Sequence, residues 1–204
     1  MHKLALVPLI AGTLVLAGCF TCESPFYEDA QITQDPRMEG FYENEVQGQK
    51  DECSWRITRN LDYPGKYELV IKDHSATVEL LATLFRVETN LFLDLYPLTD
   101  SGVYTPGDVP TVSQFVRRAL YEPHHAVCKV KVSDEGLKYW VPAGRGISAA
   151  LQKAPELKPN VSRSGDCIKL PPSTKQAQTY LRRFADDASV FTAEGMLKKT
   201  GSLK

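Results

Sequence analysis

The sequence predicts a mainly β protein of the α+β class, an antiparallel meander of strands that ends in a C-terminal helix. Three observations support this class. Several segments alternate apolar and polar residues with a period of two, which is typical of half-buried strands. Turn residues separate these segments, and an amphipathic helical stripe follows them. The 204 residues, 43% hydrophobic and 24% charged, also have the length and composition of one globular domain.

The start of the chain has the pattern of a secretory signal peptide. Residues 1–3 carry a positive charge, and the 13 residues of the segment 4–16 carry none. This apolar run is shorter than the about 20 residues that a transmembrane helix needs. We therefore assign residues 1–18 to a signal peptide.

The junction that follows is more specific. Leu16-Ala17-Gly18-Cys19 resembles the lipobox of bacterial lipoproteins. The resemblance implies a diacylglyceryl thioether on Cys19, cleavage after Gly18 and acylation of the new amino terminus, and several acyl chains anchor a protein stably. The residue after the cysteine is Phe20. An aspartate at this position would resemble the signal that retains bacterial lipoproteins in the inner membrane. We therefore expect a lipid anchor in the bacterial outer membrane.

Four further cysteines are candidates for disulfide bonds. In an exported protein such cysteines are more often paired than free, and sequence alone cannot choose their connectivity. Alternation in the segment 126–132 places one of them in the core, where it could be linked to Cys53 or Cys167. Since none of the four lies at zinc-ligand spacing from another, we expect no metal site. The candidates are Cys22, Cys53, Cys128 and Cys167.

The mature chain divides into a spacer, one domain and a tail. Residues 19–38 contain two prolines, several acids and little periodicity, which predicts a flexible lipidated tether. Residues 39–199 form the single β-rich domain, and residues 200–204 a tail. The clearest strand is 66–72, where Tyr67, Leu69 and Ile71 share one face. Further strands are predicted around Trp55 and Ile57 and at 76–87, 91–96, 125–132 and 136–141.

Two helices are predicted, and a shorter one is suggested at 147–153. Thr111 and Gln114 form a capping-box pattern before an apolar stripe that ends at Ala119. Ser173 and Gln176 form a second capping box. The stripe that follows it begins at Ala177 and predicts a helix that packs one side on the sheet. Its members are Ala177, Tyr180, Leu181, Phe184 and Ala188.

The order of strands and C-terminal helix in an exported chain is similar to the lipocalin, or calycin, arrangement. The segment Glu39-Gly40-Phe41-Tyr42 sits where such proteins carry Gly-x-Trp at their first strand, with Tyr42 in place of the tryptophan. The segments 65–69, 91–97 and 173–191 also resemble a group of poorly characterised bacterial lipoproteins over residues 39–199. The resemblance implies a complete or partial lipocalin-like barrel. Six or seven strands are visible in the sequence.

Candidate site residues are few. His124 and His125 are adjacent, so on a strand they point to opposite faces and cannot share a metal. His74 lies in a predicted turn between Asp73 and Ser75, which does not make a catalytic triad. Asp94 interrupts an apolar strand and shares a face with Phe92 and Tyr96. Its carboxylate is expected either at the solvated surface or inside the barrel beside a ligand.

Two classes of function fit these features. The first is a non-catalytic, membrane-anchored envelope lipoprotein that binds a small apolar ligand or an envelope partner and needs no cofactor. It is our working hypothesis, because no nucleophile elbow or other assembled catalytic motif occurs. The alternative is an envelope hydrolase with His74 or His124 as base and Asp94 as its partner. With 24 Lys+Arg against 25 Asp+Glu, we expect no nucleic-acid binding.

Overall fold

The computed structural model describes residues 19–46, 49–72, 77–98, 124–157, 162–164 and 167–202. These residues form strands, two α-helices and two short 3-10 turns. The strands are β1 Cys19–Cys22, β2 Gly40–Val46, β3 Gln49–Arg59, β4 Tyr67–Lys72, β5 Thr77–Val87, β6 Asn90–Pro97, β7 His125–Ser133, β8 Gly136–Pro142, β9 Ser162–Ser164, β10 Cys167–Lys169 and β11 Phe191–Gly201. The helices are α1 Gly144–Lys153 and α2 Thr174–Phe184, and the 3-10 turns are Asp29–Gln31 and Pro36–Met38.

Eight strands of the described chain close into an antiparallel barrel, which is the complete one of the two lipocalin-like forms that the sequence analysis left open. The order around the barrel is β2-β3-β4-β5-β6-β7-β8-β11, with β11 beside β2. The predicted meander is therefore confirmed, and the barrel is complete. The sequence did not predict β11, which closes it and which extends to Gly201, beyond the predicted end of the domain.

Side chains fill the interior of the barrel. An eight-stranded barrel is just wide enough for this. The inward residues of β4 and β6 are those that alternation predicted, and they join one continuous apolar cluster with their neighbours. This cluster includes Tyr42, Ile57, Tyr67, Leu69, Ile71, Leu80, Leu84, Leu93, Leu95, Cys128, Val130 and Leu197. The interior thus serves mainly as the hydrophobic core.

The turn Pro36–Met38 packs on the same cluster through Met38, and two tyrosines hold it in place. The Tyr42 hydroxyl donates to the Met38 carbonyl at 2.7 Å. The Tyr67 hydroxyl accepts from the Asp35 N–H at 2.9 Å and donates to the Asp35 carbonyl at 3.1 Å. Both phenols are buried, and these bonds satisfy their polar atoms.

A second hydrophobic cluster covers the outer face of β5, β6 and β7. The barrel contributes Phe85, Val87, Phe92 and Val127 to it. Both helices pack there, and α2 does so through apolar residues that its periodicity predicted, notably Leu181 and Phe184. Strand β1 runs antiparallel to β7 and parallel to β10, with Cys19 opposite Cys167 in register. The N-terminal segment is thereby built into the sheet.

The prediction of a flexible tether over residues 19–38 is wrong. Phe20, Cys22 and Phe26 are fully buried in the outer cluster, and Met38 is buried in the interior. Ile32 also forms a β-bridge with Phe85 on the barrel wall. The apolar side chains of this segment lack periodicity because their partners come from distant parts of the chain. We call residues 20–34 the N-terminal cover.

Some helix predictions need correction. Helix α2 begins after Ser173 as predicted, but Ser173 forms no side-chain capping bond, and the helix ends at Phe184, before Ala188. The predicted short helix is confirmed as α1. The helix predicted from Thr111 lies outside the described residues. Neither α1 nor α2 is long and apolar enough to cross a bilayer.

Cys22 and Cys128, the cysteines whose side chains the structure describes, form no disulfide bond. Cys22 and Cys128 are buried free thiols on opposite faces of the barrel wall, which keeps them apart. The Cys22 thiol donates to the Pro171 carbonyl at 3.1 Å. Burial raises the pKa of the Cys128 thiol to about 12. The side chains of Cys53 and Cys167 lie outside the described set, so their pairing stays a prediction.

Candidate functional site

Asp94 lies on the outer face of the barrel wall, but it is buried. Leu93 and Leu95 point into the barrel, so alternation turns Asp94 outward with Phe92, as predicted. The side chain is nevertheless only 1% exposed. The N-terminal cover lies over this part of β6, with the Phe26 backbone at the carboxyl group and Tyr27 on the same cleft. Neither predicted environment, the solvated surface or the barrel interior, is correct.

Asp94 pairs with His125 across neighbouring strands. Asp94 lies opposite Val127 in the β6–β7 register, and His125 is the diagonal neighbour on the same face. The Nδ1 of His125 lies 2.7 Å from Oδ2 of Asp94, and the imidazole is 12% exposed. The ring of Tyr96 lies 4.5 Å from the imidazole, centroid to centroid. The pair is therefore held from two sides.

Burial dominates the electrostatics of this carboxyl group. It raises the pKa of Asp94, because the charged form loses its hydration. The hydrogen bond and charge of His125 act in the opposite direction, and so does the Phe26 backbone, but burial is the larger cause. Asp94 Oδ1 is buried and has no hydrogen-bond partner among the described residues. An unsatisfied buried acceptor of this kind is costly.

Asp94 and His125 line a cleft of about 290 Å³ between the barrel wall, the N-terminal cover and the β3–β4 hairpin. This volume is at the lower end of the range for small-molecule sites. Seven of the eleven described lining residues are apolar or aromatic, and four are polar or charged. The described lining residues are Pro25, Tyr27, Tyr63, Lys66, Leu81, Thr83, Asp94, Tyr96, Pro97, Leu98 and His125.

A cation lies against the tyrosine rings of the cleft. The Lys66 ammonium is 5.4 Å from the ring centroid of Tyr27 and 5.8 Å from that of Tyr63. Both distances are within the range of cation–π contacts. The charge of Lys66 also favours ionisation of Asp94, although the two side chains form no ion pair. The cleft thus combines a buried carboxylate, an imidazole and an ammonium group.

Asp94 is not joined in the cleft by the histidines of the predicted hydrolase, as far as the described residues show. The structure does not describe His74. His124 lies near Glu23, where its charge is one of the lesser causes that lower the pKa of that carboxyl. Asp94 therefore meets His125, the neighbour of the histidine named in the hydrolase alternative. Sequence reasoning missed Tyr27 and Lys66, because only the folded cover and hairpin bring them to Asp94.

The site has no close counterpart to guide its interpretation. Comparison of the chain with known protein families, with curated proteins and with solved structures finds no match. Within the described ranges, no group of His, Cys, Asp and Glu side chains could hold a metal ion. The function must therefore be argued from the chemistry of the cleft. That chemistry allows a small molecule to bind, or a proton to move at the imidazole.

Proposed function

We propose that this chain is a lipid-anchored, non-catalytic protein of the bacterial cell envelope that binds a small, largely apolar ligand in the cleft beside Asp94. One observation carries the ligand site: a buried carboxylate with an unpartnered oxygen lines a cleft whose other walls are mostly aromatic and apolar. Sites for small molecules typically combine an apolar wall with a few polar groups that fix orientation.

The cleft is a better seat for the ligand than the centre of the barrel. The inward side chains of the described strands pack into one continuous cluster, with Tyr42 and Tyr67 among its largest members. A ligand in the centre would have to displace this core. The cleft on the wall needs no such displacement, since its volume of about 290 Å³ already exists.

The envelope location rests on the lipobox-like junction before Cys19. It is tested by replacing Cys19 with serine and fractionating cells of the native host. We expect the wild type in the outer-membrane fraction and the variant uncleaved or soluble. A variant that matures at the same junction and still sediments with membranes would refute the anchor.

Ligand binding is tested by native mass spectrometry of the full chain purified from its own host. We expect a co-purifying small molecule that is lost from the Asp94→Asn variant and kept by the Asp186→Asn variant, whose side chain is exposed. An envelope protein that co-purifies in its place would point to a docking function. Protein free of any bound species would refute the ligand site.

One observation favours a second candidate, an envelope hydrolase. An imidazole whose Nδ1 meets a buried carboxylate has the arrangement of a general base. Here the base is His125 in place of the predicted His74 or His124. A screen with ester, peptide and glycoside substrates tests it. Turnover that disappears in His125→Ala but persists in His124→Ala would establish the hydrolase and refute a purely binding role.

A further inference from the structure

The chemistry of the cleft also indicates which ligand it takes. Asp94 has two carboxylate oxygens, and His125 satisfies only Oδ2. Oδ1 is buried without a partner among the described residues. Because a buried charge is best stabilised by an opposite charge with hydrogen-bond donors, the chemically matched ligand group is a cation that carries N–H donors.

The walls of the cleft suit the same kind of group. Tyr27, Tyr63 and Tyr96 line it, and the faces of aromatic rings attract cations. The Lys66 ammonium already occupies such a position at the rings of Tyr27 and Tyr63. The cleft therefore accommodates an ammonium group. Since Lys66 and Asp94 form no ion pair with each other, the Lys66 ammonium does not occupy the place beside the carboxylate.

We propose that the ligand is a small organic cation, an amine on an apolar body, which places its ammonium group beside Asp94. Its apolar part would lie along Leu81 and Leu98 on the cleft wall. This inference rests on the proposed function and names the class of ligand for the same site. Free amines and the amine head group of a lipid share this chemistry.

The opposite charge class makes the opposite predictions. An anionic ligand would bind Lys66 and be repelled by Asp94. Removing the Asp94 charge would then strengthen its binding, and removing the Lys66 charge would abolish it. A cationic ligand reverses both signs, because Lys66 competes with it and Asp94 attracts it. Two charge-removing variants thus separate the classes.

The test uses three probes of nearly equal size: n-butylammonium, 1-butanol and butyrate. Each is titrated calorimetrically into the full chain in a nonionic detergent. We expect n-butylammonium to bind at least tenfold more tightly than 1-butanol, and butyrate to bind most weakly. Asp94→Asn should weaken the binding of n-butylammonium at least tenfold, whereas Lys66→Met should tighten it, by up to about threefold. Vesicles with and without phosphatidylethanolamine, added as competitor, distinguish a lipid head group from a free amine.

Matched controls guard against general damage. Asp186→Asn and Lys138→Met remove the same charges outside the cleft, the second from a cation–π contact with Trp140 at 5.3 Å. Neither should change the affinity by more than twofold. If Asp94→Asn does not fold, Tyr63→Ala provides the second measurement, because the exposed Tyr63 ring can be removed without disturbing the core. It should weaken n-butylammonium about threefold or more.

Several outcomes would overturn the inference. If butyrate bound most tightly and Lys66→Met abolished its binding, the ligand would be an anion. The cleft would still be a ligand site. Equal binding of all three probes would show that charge plays no part. Binding of none would also refute the amine. The proposed function is judged separately, by whether protein from the host carries a ligand that Asp94→Asn loses.

Discussion

The barrel wall carries two hydrophobic clusters, one on each face, and they differ in what they tolerate. On the inner face the polar groups of the described residues are neutral. The Tyr42 phenol bonds to the Met38 carbonyl, and the Trp55 indole N–H is buried without a partner among the described residues. On the outer face the cluster lies beside an ionisable pair, Asp94 and His125. One carboxylate oxygen of Asp94 has no hydrogen-bond partner among the described residues. The inner face stabilises the fold, and the outer face carries the chemistry.

The origin of this difference is the source of the covering residues. Inner residues are covered by other strands of the same barrel, so a polar atom there can find a partner only within a closed core. Outer residues would face water, and polar side chains there are ordinary. The N-terminal cover then desolvates one of them, Asp94, without removing it from reach of a cleft. A site arises where a solvent face is partly covered.

The largest expected effect tests whether the cover is structural. Phe26→Ala removes a fully buried ring from the outer cluster. It should lower the free energy of unfolding by about 3–5 kcal/mol, which is typical of buried Phe to Ala changes. Urea denaturation measures it. The control is Phe41→Ala, which removes a half-exposed ring from the uncovered part of the wall. If Phe26→Ala lowered the free energy of unfolding no more than this control, the predicted flexible tether would be supported and the structural role of the cover refuted.

The second effect concerns the inner face alone. A Cβ added to Gly195 would lie 2.2 Å from Cζ of Tyr139, whose hydroxyl donates to Asn44. Gly195→Ala must therefore displace that ring, at a cost of about 1–3 kcal/mol. Gly201→Ala in the same strand meets only ordinary contacts, 3.6 Å at the nearest, and should be close to neutral. If Gly195→Ala also abolished n-butylammonium binding, the two faces would not be independent.

Local alternation predicted much of the fold. It assigned β4 and β6 and the inward positions of Leu69, Leu93 and Leu95, because a strand's period of two depends only on its own residues. Strand β5 was assigned because a hairpin with β6 suited the short break between them. Strand β11 was missed, since Gly195 and two lysines interrupt its apolar pattern. The cover was misread for a different reason. Its burial depends on distant partners, which no short window of sequence reveals.

The site was only half predictable. Asp94 was singled out as a carboxylate on the same face as Phe92, with its environment left open between solvent and the barrel interior, and its partner was sought at His74 or His124. Alternation along the strand could have indicated His125. This residue lies next to the inward Ala126, so it points outward like Asp94. Strands β6 and β7 also follow one another in the meander, which brings the two residues to the same part of the wall. The burial of the pair and the place of Lys66 could not be predicted, because both depend on tertiary packing.

The third effect is a pH dependence of the free energy of unfolding that arises from the outer pair, Asp94 and His125. Burial raises the pKa of Asp94, so the native state keeps a proton at pH values where the unfolded chain has lost it. Stability therefore falls as the pH rises from the ordinary carboxyl value to the raised one. Asn cannot titrate. Relative to Asp94→Asn, the wild type should lose up to about 1.4 kcal/mol for each pH unit in that window. Denaturation curves at several pH values measure this slope, and parallel profiles would contradict the burial of the charge.

The smallest effect comes from an ion pair on the part of the barrel wall that the N-terminal cover leaves exposed. This pair has the same cross-strand geometry as Asp94 and His125. Glu68 lies opposite Thr58, and Arg56 is its diagonal neighbour, just as His125 is the diagonal neighbour of Asp94. The Arg56 and Glu68 side chains lie 3.0 Å apart but are 45% and 34% exposed.

A double-mutant cycle with Arg56→Ala and Glu68→Ala should give a coupling energy of about 0.2–1 kcal/mol, as exposed pairs do, and high salt should weaken it. The same cycle with Asp94→Ala and His125→Ala should give a larger coupling that salt barely changes, because the pair is shielded from water. Since the diagonal register is the same in both pairs, the difference between the two coupling energies measures the effect of burial under the N-terminal cover. Equal couplings would mean that cross-strand geometry, and not burial, sets the strength of the pair at the cleft.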